Sequence, residues 1–297
     1  MILITGGLGY IGSHLAIELL NDHKEIVILD NLSTSDISTL DNIELITHKR
    51  LIFYQGCISD TDLLQKIISN HNITAVIHLA AFKSINEGEL YPDKYWDNNV
   101  IKSKIFFDFI INTNIKNIIF SSTASVYETS DELLTENSLI NPVSVYGKTK
   151  LEIEKYLEQL HSYGLINVTI LRYFNPIGVH SSGLLKDTGL DNLYPNIQKA
   201  LKAGVKFNVY GNDYSTPDGT AIRDYINIID LVKYHILFLN STGFQIFNVG
   251  TGVGKSVLEI LKEFPEVQYQ IKSRRSGDVP KLVCSIDKLR LWELEQH

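Results

Sequence analysis

Short, continuously apolar runs recur through the first 173 residues of the chain. Strands of a parallel sheet that helices cover on both faces have this pattern, because neither set of alternate side chains faces water. The pattern predicts strands at residues 2–5, 26–30, 51–55, 75–79, 118–122 and 168–173. The intervening segments have helical length and composition, and they predict helices at residues 11–20, 61–69, 95–111 and 145–160.

This alternation is typical of the α/β class with a doubly wound, Rossmann-type parallel sheet. After Tyr173 the pattern becomes irregular: glycine and proline interrupt residues 175–189 and 211–219, and the strands predicted at 207–210 and 245–249 are isolated. We therefore predict a Rossmann domain of residues 1–173 and a smaller, irregular C-terminal region of residues 174–297. Because such sheets bind ligands outside the carboxyl ends of their strands, the second region is expected to close that crevice.

A glycine-rich turn, Gly6-Gly7-Leu8-Gly9-Tyr10-Ile11-Gly12, joins the first predicted strand to the first predicted helix. Gly6 permits the bend, Gly9 lets the backbone approach a pyrophosphate, and Gly12 allows helix and strand to pack closely. The helix N-terminus adds free N–H groups and partial positive charge. Asp30 ends the second strand, where a carboxylate accepts hydrogen bonds from an adenosine ribose and repels a 2′-phosphate. These features predict NAD as cofactor, with the alternative that Asp30 only caps a loop.

A second glycine cluster, at residues 250–256, is similar to a phosphate-binding P-loop. It has Val249 where that pattern needs its first glycine, and it lies far from the first strand–helix unit. We predict a turn there, followed by a helix that begins near Ser256, and we expect no nucleoside-triphosphate site.

Composition narrows the classes of partner. The 297 residues carry a formal net charge of −7, which argues against a general nucleic-acid-binding protein. Two cysteines imply no disulfide framework and favour a reducing compartment, and no apolar run has the roughly 20 residues that a membrane-spanning helix needs. The histidines show no metal-ligand spacing. We expect a cytoplasmic protein with a small-molecule ligand and no metal, nucleic-acid or membrane partner.

Tyr146 and Lys150 lie four residues apart, on one face of a predicted helix. An ordinary tyrosine has a pKa near ~10, so it acts as a base at neutral pH only where positive charge favours the phenolate. We expect the Lys150 ammonium and a nicotinamide ring to supply that charge and to lower the pKa of Tyr146. Thr123, at the end of the fifth strand, is placed to hydrogen-bond the same substrate oxygen. The alternative is a surface Tyr–Lys pair on an amphipathic helix.

The chain resembles the extended short-chain dehydrogenases/reductases, and within them the UDP-glucose 4-epimerase family. The matching stretches cover nearly the whole chain, and the segment 211–225 is highly specific for these epimerases. The resemblance implies that Tyr146 is the acid/base, that Lys150 is its electrostatic partner and a ribose ligand, and that Thr123 relays through its hydroxyl.

The resemblance also implies the binding residues. NAD is expected to contact Gly6, Gly9, Tyr10, Ile11, Gly12, Asp30, Asn31, Lys83, Asn99, Tyr146, Lys150 and Tyr173. The sugar nucleotide is expected to contact Thr123, Asn175, Asn192, Leu193, Asn208, Tyr210, Arg223, Arg275, Asp278 and Leu282. The chain departs from the family in having Cys57 where an Asp near the adenine is common, Glu128 where a Gly is common, and a short C-terminal extension.

The residues after Thr123 indicate which reaction is expected. Related dehydratases have an Asp-Glu pair there and decarboxylases a Glu in the second place, whereas this chain has Ala124 and Ser125. The resemblance then implies that a sugar oxidised at C4 can only take the hydride back, which is 4-epimerisation of UDP-glucose and UDP-galactose. Leu282 is shorter than an aromatic ring, so the N-acetylated pair is expected to fit as well. The alternatives are a UDP-uronate 4-epimerase and a non-catalytic relative that binds NAD or nucleotide sugars.

Assembly is predicted from two apolar surfaces. The segment 105–111 is apolar around most of its helix, and Leu151, Tyr156, Leu157 and Leu160 form a second apolar surface. With the resemblance, these predict a homodimer through a four-helix interface, and the alternative is internal packing.

Overall fold

The computed structural model describes residues 1–185, 187, 192–275 and 278–295. Its main sheet consists of β1 (Ile2–Thr5), β2 (Ile26–Asp30), β3 (Ile52–Gln55), β4 (Ala75–His78), β5 (Asn117–Thr123), β6 (Asn167–Tyr173) and a late strand, Phe244–Val249. All seven strands are parallel, in the order late strand–β6–β5–β4–β1–β2–β3. The predicted fold class and its six strands are confirmed, with bounds that agree to within one residue at each end.

Helices cover both faces of this sheet, which explains its continuously apolar strands. One face carries α1 (Tyr10–Asn21), α2 (Ser38–Thr47) and two late helices, Ile228–Leu237 and Asp287–Glu295. The other face carries α3 (Thr61–Asn70), α6 (Lys102–Ile110) and α7 (Val145–Ser162). Two short helices, α4 (Ile85–Leu90) and α5 (Pro92–Trp96), precede α6 in the chain. Helix α2 is not among the predicted helices, and only one of its residues, Ile43, is fully buried.

The predicted helix at 95–111 is a continuous helical segment with a change of pitch. Helix α5 leads into one π-helical turn, Asp97–Ile101, which leads into α6. Such π-turns insert an extra residue and are frequent at functional sites. Asn99, one of the predicted cofactor residues, lies in this turn and is buried.

The elements after β6 include the late strand of the main sheet and the two late helices on its first face, and the others form a smaller region. In chain order, the elements after β6 are β7 (Asn175–Ile177), α8 (Leu193–Ala203), β8 (Phe207–Tyr210), β9 (Ile222–Asn227), the late helix α9 (Ile228–Leu237), the late strand β10 (Phe244–Val249), β11 (Gly254–Ser256), α10 (Val257–Leu261), β12 (Tyr269–Lys272), β13 (Lys281–Leu282) and the late helix α11 (Asp287–Glu295). Strands β7, β11 and β13 pair with β9.

The prediction that strands 207–210 and 245–249 are isolated is wrong. Strand β8 pairs with β12, and β10 pairs along its whole length with β6 in the main sheet. Helix α9 also packs against α1, on the first face of the main sheet. The sequence predicts the strand at 245–249 but not its partner, because pairing with a strand about 70 residues earlier is set by tertiary structure. None of the helices in the described part of the chain is long and apolar enough to span a membrane.

Candidate functional site

Two adjoining cavities open at the carboxyl ends of the main-sheet strands, where ligands bind in open α/β folds. The larger has a volume of about 890 Å³ and the smaller of about 560 Å³. Thr123, Tyr173 and Asn175 line both cavities, so that the end of β5 and the end of β6 lie where the two meet.

The glycine turn forms one wall of the larger cavity. Gly6 has a φ of +70°, and a Cβ there would lie 2.8 Å from the backbone of Ala80. A Cβ on Gly12 would lie 2.4 Å from the carbonyl oxygen of Gly6. Helix α1 begins directly after Gly9, with no side chain capping its free N–H groups. The turn therefore has the close backbone approach and the free helix N-terminus that a pyrophosphate needs.

Asp30 accepts hydrogen bonds from the loop after β2 and also lines the larger cavity. Its Oδ2 accepts a hydrogen bond from the Leu8 amide at 3.0 Å, and its Oδ1 accepts bonds from the Leu32 amide at 2.9 Å and from the Ser35 hydroxyl at 2.8 Å. Asp30 also lines the larger cavity. Each carboxylate oxygen has two lone pairs, so Oδ2 keeps one acceptor position that a ribose hydroxyl can use.

The structure brings the predicted cofactor residues to this cavity with one exception. Asn99 is fully buried in the π-turn, where its Oδ1 accepts from the Phe82 amide at 2.8 Å and its Nδ2 donates to the Phe82 carbonyl at 2.9 Å. The same Nδ2 donates to Thr149 at 3.2 Å. Asn99 does not line the cavity, whereas Phe82 and the neighbouring Asn98 do. Asn99 thus holds the backbone of Phe82, which lines the cavity, and its own contact with NAD stays a prediction.

A contact that the sequence does not reveal crosses the larger cavity. The Lys83 ammonium lies 3.6 Å from the carboxylate of Asp187 and 5.8 Å from the ring centre of Tyr10. The Tyr10 hydroxyl donates to the carbonyl of Gly178 at 2.7 Å. These contacts join the first strand–helix unit and the loop after β4 to the segment that follows β7.

Helix α7 carries Tyr146 and Lys150 to the end of β5. A hydrogen bond joins Tyr146 to Thr123, and the Lys150 ammonium donates to the Ser121 carbonyl at 2.7 Å, 6.0 Å from the Tyr146 ring centre. A Cβ on Gly147 would lie only 2.5 Å from the carbonyl oxygen of Ser125. The helix can therefore approach the end of β5 this closely only with glycine at that position.

The electrostatics of this pair differ from the expectation. Burial raises the pKa of Tyr146 to about 12, and the hydrogen bond from Thr123 opposes that rise only in part. Burial lowers the pKa of Lys150 to about 7, although Glu154 raises it. Burial therefore outweighs the protein's own charges at Tyr146, because it penalises the charged form of both groups, and a lowered pKa of Tyr146 with NAD bound stays a prediction.

The smaller cavity is lined by all ten predicted substrate residues. Arg223 lies 3.4 Å from the carboxylate of Asp278, and the Arg275 guanidinium stacks 3.9 Å from the ring centre of Tyr210. Leu282 pairs in register with Arg223 through β13 and β9. Lys199 and Lys206 also line this cavity, and no motif in the sequence indicates them. Two cationic groups with rigid, forked donors suit a diphosphate.

The second glycine cluster binds a carboxylate of the chain itself. Asp224, fully buried, accepts hydrogen bonds from the amides of Thr251 and Gly252, both at 2.8 Å. Strand β11 follows, and α10 begins after Ser256, whose side chain caps it. The predicted turn and helix are confirmed, and the anion-binding amides of the turn are already used.

Comparisons with known proteins agree with this geometry. A sequence profile described as the NAD dependent epimerase/dehydratase family matches residues 2–250. The UDP-glucose 4-epimerase of Bacillus subtilis (strain 168) is 42% identical over 295 residues, which are 94% of this chain and 86% of that protein.

Two solved structures are similar over nearly the whole chain. The UDP-glucose-4-epimerase from Stenotrophomonas maltophila, with bound NAD and formylated UDP-arabinopyranose, has a TM-score of 0.94 and 35% identity, covering 99% of this chain and 92% of that one. The UDP-glucose 4-epimerase from Bifidobacterium longum, in complex with NAD+ and UDP, has a TM-score of 0.93 and 37% identity, covering 98% and 91%. The chain belongs to the NAD-dependent epimerase/dehydratase family, and within it to the UDP-glucose 4-epimerases.

Proposed function

We propose that this chain interconverts UDP-glucose and UDP-galactose by transient oxidation at C4 of the sugar, with NAD retained from one turnover to the next. The observation that carries the proposal is the position of Thr123, Tyr146 and Lys150. Tyr146 and Lys150 line the cavity built around the glycine turn, and Thr123, which is hydrogen-bonded to Tyr146, lines both that cavity and the one that presents Arg223 and Arg275. A hydride acceptor in the first cavity and a sugar diphosphate in the second would meet at Tyr146.

The residues of the larger cavity fit NAD. The amides after Gly9, with Tyr10 and Ile11, would hold the pyrophosphate, because the turn permits close approach and the helix N-terminus is free. The free acceptor position on Asp30, beside Asn31, would take the adenosine ribose, and its charge disfavours a 2′-phosphate. Lys150 and Tyr173 would face the nicotinamide ribose. When bound, NAD supplies the hydride chemistry at C4.

The chain's own residues would transfer the proton and hold the substrate. Tyr146 would take the proton of the C4 hydroxyl and return it after the hydride, and Thr123 would orient that hydroxyl. Arg223 and Arg275 would hold the diphosphate while the sugar turns to present its other face. Ala124 and Ser125 offer no carboxylate for elimination of water, so return of the hydride to C4 remains.

The test is the conversion of UDP-galactose to UDP-glucose by the purified protein without added NAD. We expect turnover, and we expect Tyr146→Phe to lower kcat by about 10²–10⁴-fold while the protein keeps its NAD. A folded, NAD-loaded protein that forms no product would favour the non-catalytic alternative. Because Lys199 and Lys206 add cations to the substrate cavity, UDP-glucuronate is assayed in parallel.

We also propose that the N-acetylated sugars are substrates. Leu282 lines the substrate cavity beside Arg223, and leucine reaches less far than an aromatic ring. The measurement is the ratio of kcat/KM for the N-acetylated and plain pairs, in the wild type and in Leu282→Tyr. We expect Tyr to shift the ratio against the N-acetylated pair by roughly tenfold or more, since a contact of this size contributes about 1–3 kcal/mol. An unchanged ratio would contradict the assignment of Leu282.

We further propose that residues 1–173 chiefly bind NAD and residues 174–297 chiefly bind the sugar nucleotide, in a cytoplasmic protein. Support for the location comes from Cys57 and Cys284, which are both free thiols.

We propose a homodimer through the side of α5, the π-turn and α6. Phe106, Phe107 and Ile110 are fully buried, so internal packing accounts for them, whereas Trp96, Ile101 and Ile105 remain 37%, 53% and 39% exposed. Their spacing of five and four residues places them on one side of the segment, because of the π-turn.

Sedimentation at micromolar concentration is expected to show a dimer for the wild type and a monomer for Ile105→Glu. Leu45→Glu, at a 61% exposed position on α2, is the matched control and should stay dimeric. A monomeric wild type would contradict the proposal.

A further inference from the structure

Glu154 is the third member of a stripe on helix α7 that begins with the two proposed reactive groups. Tyr146, Lys150 and Glu154 follow each other at intervals of four residues and so lie on one side of the helix. Three consecutive residues at the end of β5 bind this stripe. Thr123 bonds to Tyr146, the Ser121 carbonyl accepts from Lys150, and the Ser122 hydroxyl donates to the carboxylate of Glu154.

The Glu154 carboxylate is buried and held on both oxygens. Its Oε1 accepts from Nε of Arg172 at 3.0 Å, and its Oε2 accepts from a terminal nitrogen of Arg172 at 2.6 Å. Arg172 is itself 2% exposed and donates onward to the Tyr127 hydroxyl at 2.9 Å. Replacing a buried ion pair with well-packed apolar side chains of similar volume is often neutral for stability or stabilising, so stability alone does not explain this pair. The charge itself therefore calls for a role.

Among the groups around Lys150, Glu154 supplies the negative charge. From β4 comes His78, which is neutral at pH 7 because burial lowers its pKa to about 3. From β5 comes the Ser121 carbonyl, which accepts from the Lys150 ammonium, and Arg172 on β6 binds Glu154. From α7 come the Tyr146 hydroxyl and Glu154. Of the described residues that act on Lys150, Glu154 is the carboxylate that favours its charged form.

We propose that Glu154 is a positioning residue of the reaction: held by Arg172 and Ser122, its carboxylate keeps Lys150 in the ammonium form at the end of β5, facing Tyr146. The ammonium then favours the phenolate when Tyr146 gives up its proton. The consequence for turnover rests on the proposed function, whereas the effect on Lys150 can be measured without it.

The experiment measures the ionisation of Lys150 directly. The protein is labelled with lysine carrying ¹³C at Cε, and the NMR signal of Lys150, assigned by its absence in Lys150→Met, is followed against pH in the NAD-loaded protein. In Glu154→Gln we expect the midpoint to fall by about one to two pH units, because two charges one helical turn apart in a partly screened interior interact on that scale. The basic limb of the kcat–pH profile should fall with it.

Two further variants complete the test. Glu154→Gln/Arg172→Met removes the pair together and should give a midpoint between those of Glu154→Gln and the wild type. Glu152→Gln, on the other side of α7 and paired with Lys104 at 2.7 Å, is the control and should leave the midpoint unchanged.

An unchanged midpoint in folded Glu154→Gln would overturn the proposal. If that variant does not fold, a wild-type midpoint in the double variant would overturn it. An inactive wild type would instead contradict the proposed function, and the NMR titration would still decide the role of Glu154.

Discussion

The close approach of helix α7 to the turn after β5 can be tested with Gly147→Ala. The added Cβ would lie 2.5 Å from the carbonyl oxygen of Ser125 and 3.1 Å from the Cβ of Pro142. The carbonyl is backbone and cannot rotate aside, so helix and turn must separate by roughly 1 Å. Tyr146 and Thr123 lie on opposite sides of that contact, and a misplacement of about 1 Å costs about 10²-fold in rate.

The effect on stability should be smaller than the effect on rate. Alanine is favoured over glycine within a helix by about 1 kcal/mol. Overpacking typically costs about 1–3 kcal/mol, so the net loss is expected to be at most about 2 kcal/mol. A fold that is almost as stable, with turnover reduced by one to two orders of magnitude, is the signature of a displaced Tyr146.

The assay compares kcat, the free energy of unfolding in urea and the NAD content of the purified variant. Lys148→Ala, at an exposed position on the same helical turn, is the control and should match the wild type in all three. Wild-type kcat in Gly147→Ala would refute the reasoning that this contact sets the distance between Tyr146 and Thr123.

Three more predictions concern supporting residues. Asp224→Asn should lower the free energy of unfolding by about 1–3 kcal/mol, because it replaces an acceptor oxygen with an NH2 donor that faces a backbone N–H, while Asp230→Asn at the surface should change it by less than about 0.5 kcal/mol. Burial lowers the pKa of His235 to about 4, so its contribution to stability is complete above its unfolded pKa and is lost as the pH falls toward 4. His235→Gln should therefore reduce the loss of unfolding free energy between pH 7 and pH 5 by about 2 kcal/mol, and an equal loss in both proteins would contradict this. Gly12→Ala places a Cβ 2.4 Å from the carbonyl oxygen of Gly6 and should yield protein without NAD. The measurement is the NAD content of the purified variant, from the ratio of its nucleotide absorbance to its protein absorbance, and full NAD content would contradict the role of the turn.

The local pattern of the sequence determined much of this protein. Continuous apolar runs identify β1 to β6, because a strand covered on both faces needs apolar side chains on both. The spacing in the glycine turn and the four residues between Tyr146 and Lys150 identify two parts of the site, because each depends on one element or one turn. These features can be predicted without knowing which distant residues they contact.

Only the tertiary structure decided the features that depend on distant partners. Strand β10 joins the main sheet because the edge of β6 is free to pair, and Asp224 occupies the amides of the second glycine turn because β9 passes beside it. Asn99 bonds to the backbone of Phe82, 17 residues earlier in the chain, which the pattern of its own helix does not indicate. Burial depends on several elements at once, and it raises the pKa of Tyr146. The ion pair of Arg172 with Glu154, next to Lys150 on α7, also requires β6 and α7 to pack together. Local periodicity can be recognised in the sequence, whereas strand pairing, burial and the electrostatic field at a buried charge depend on residues from the whole fold.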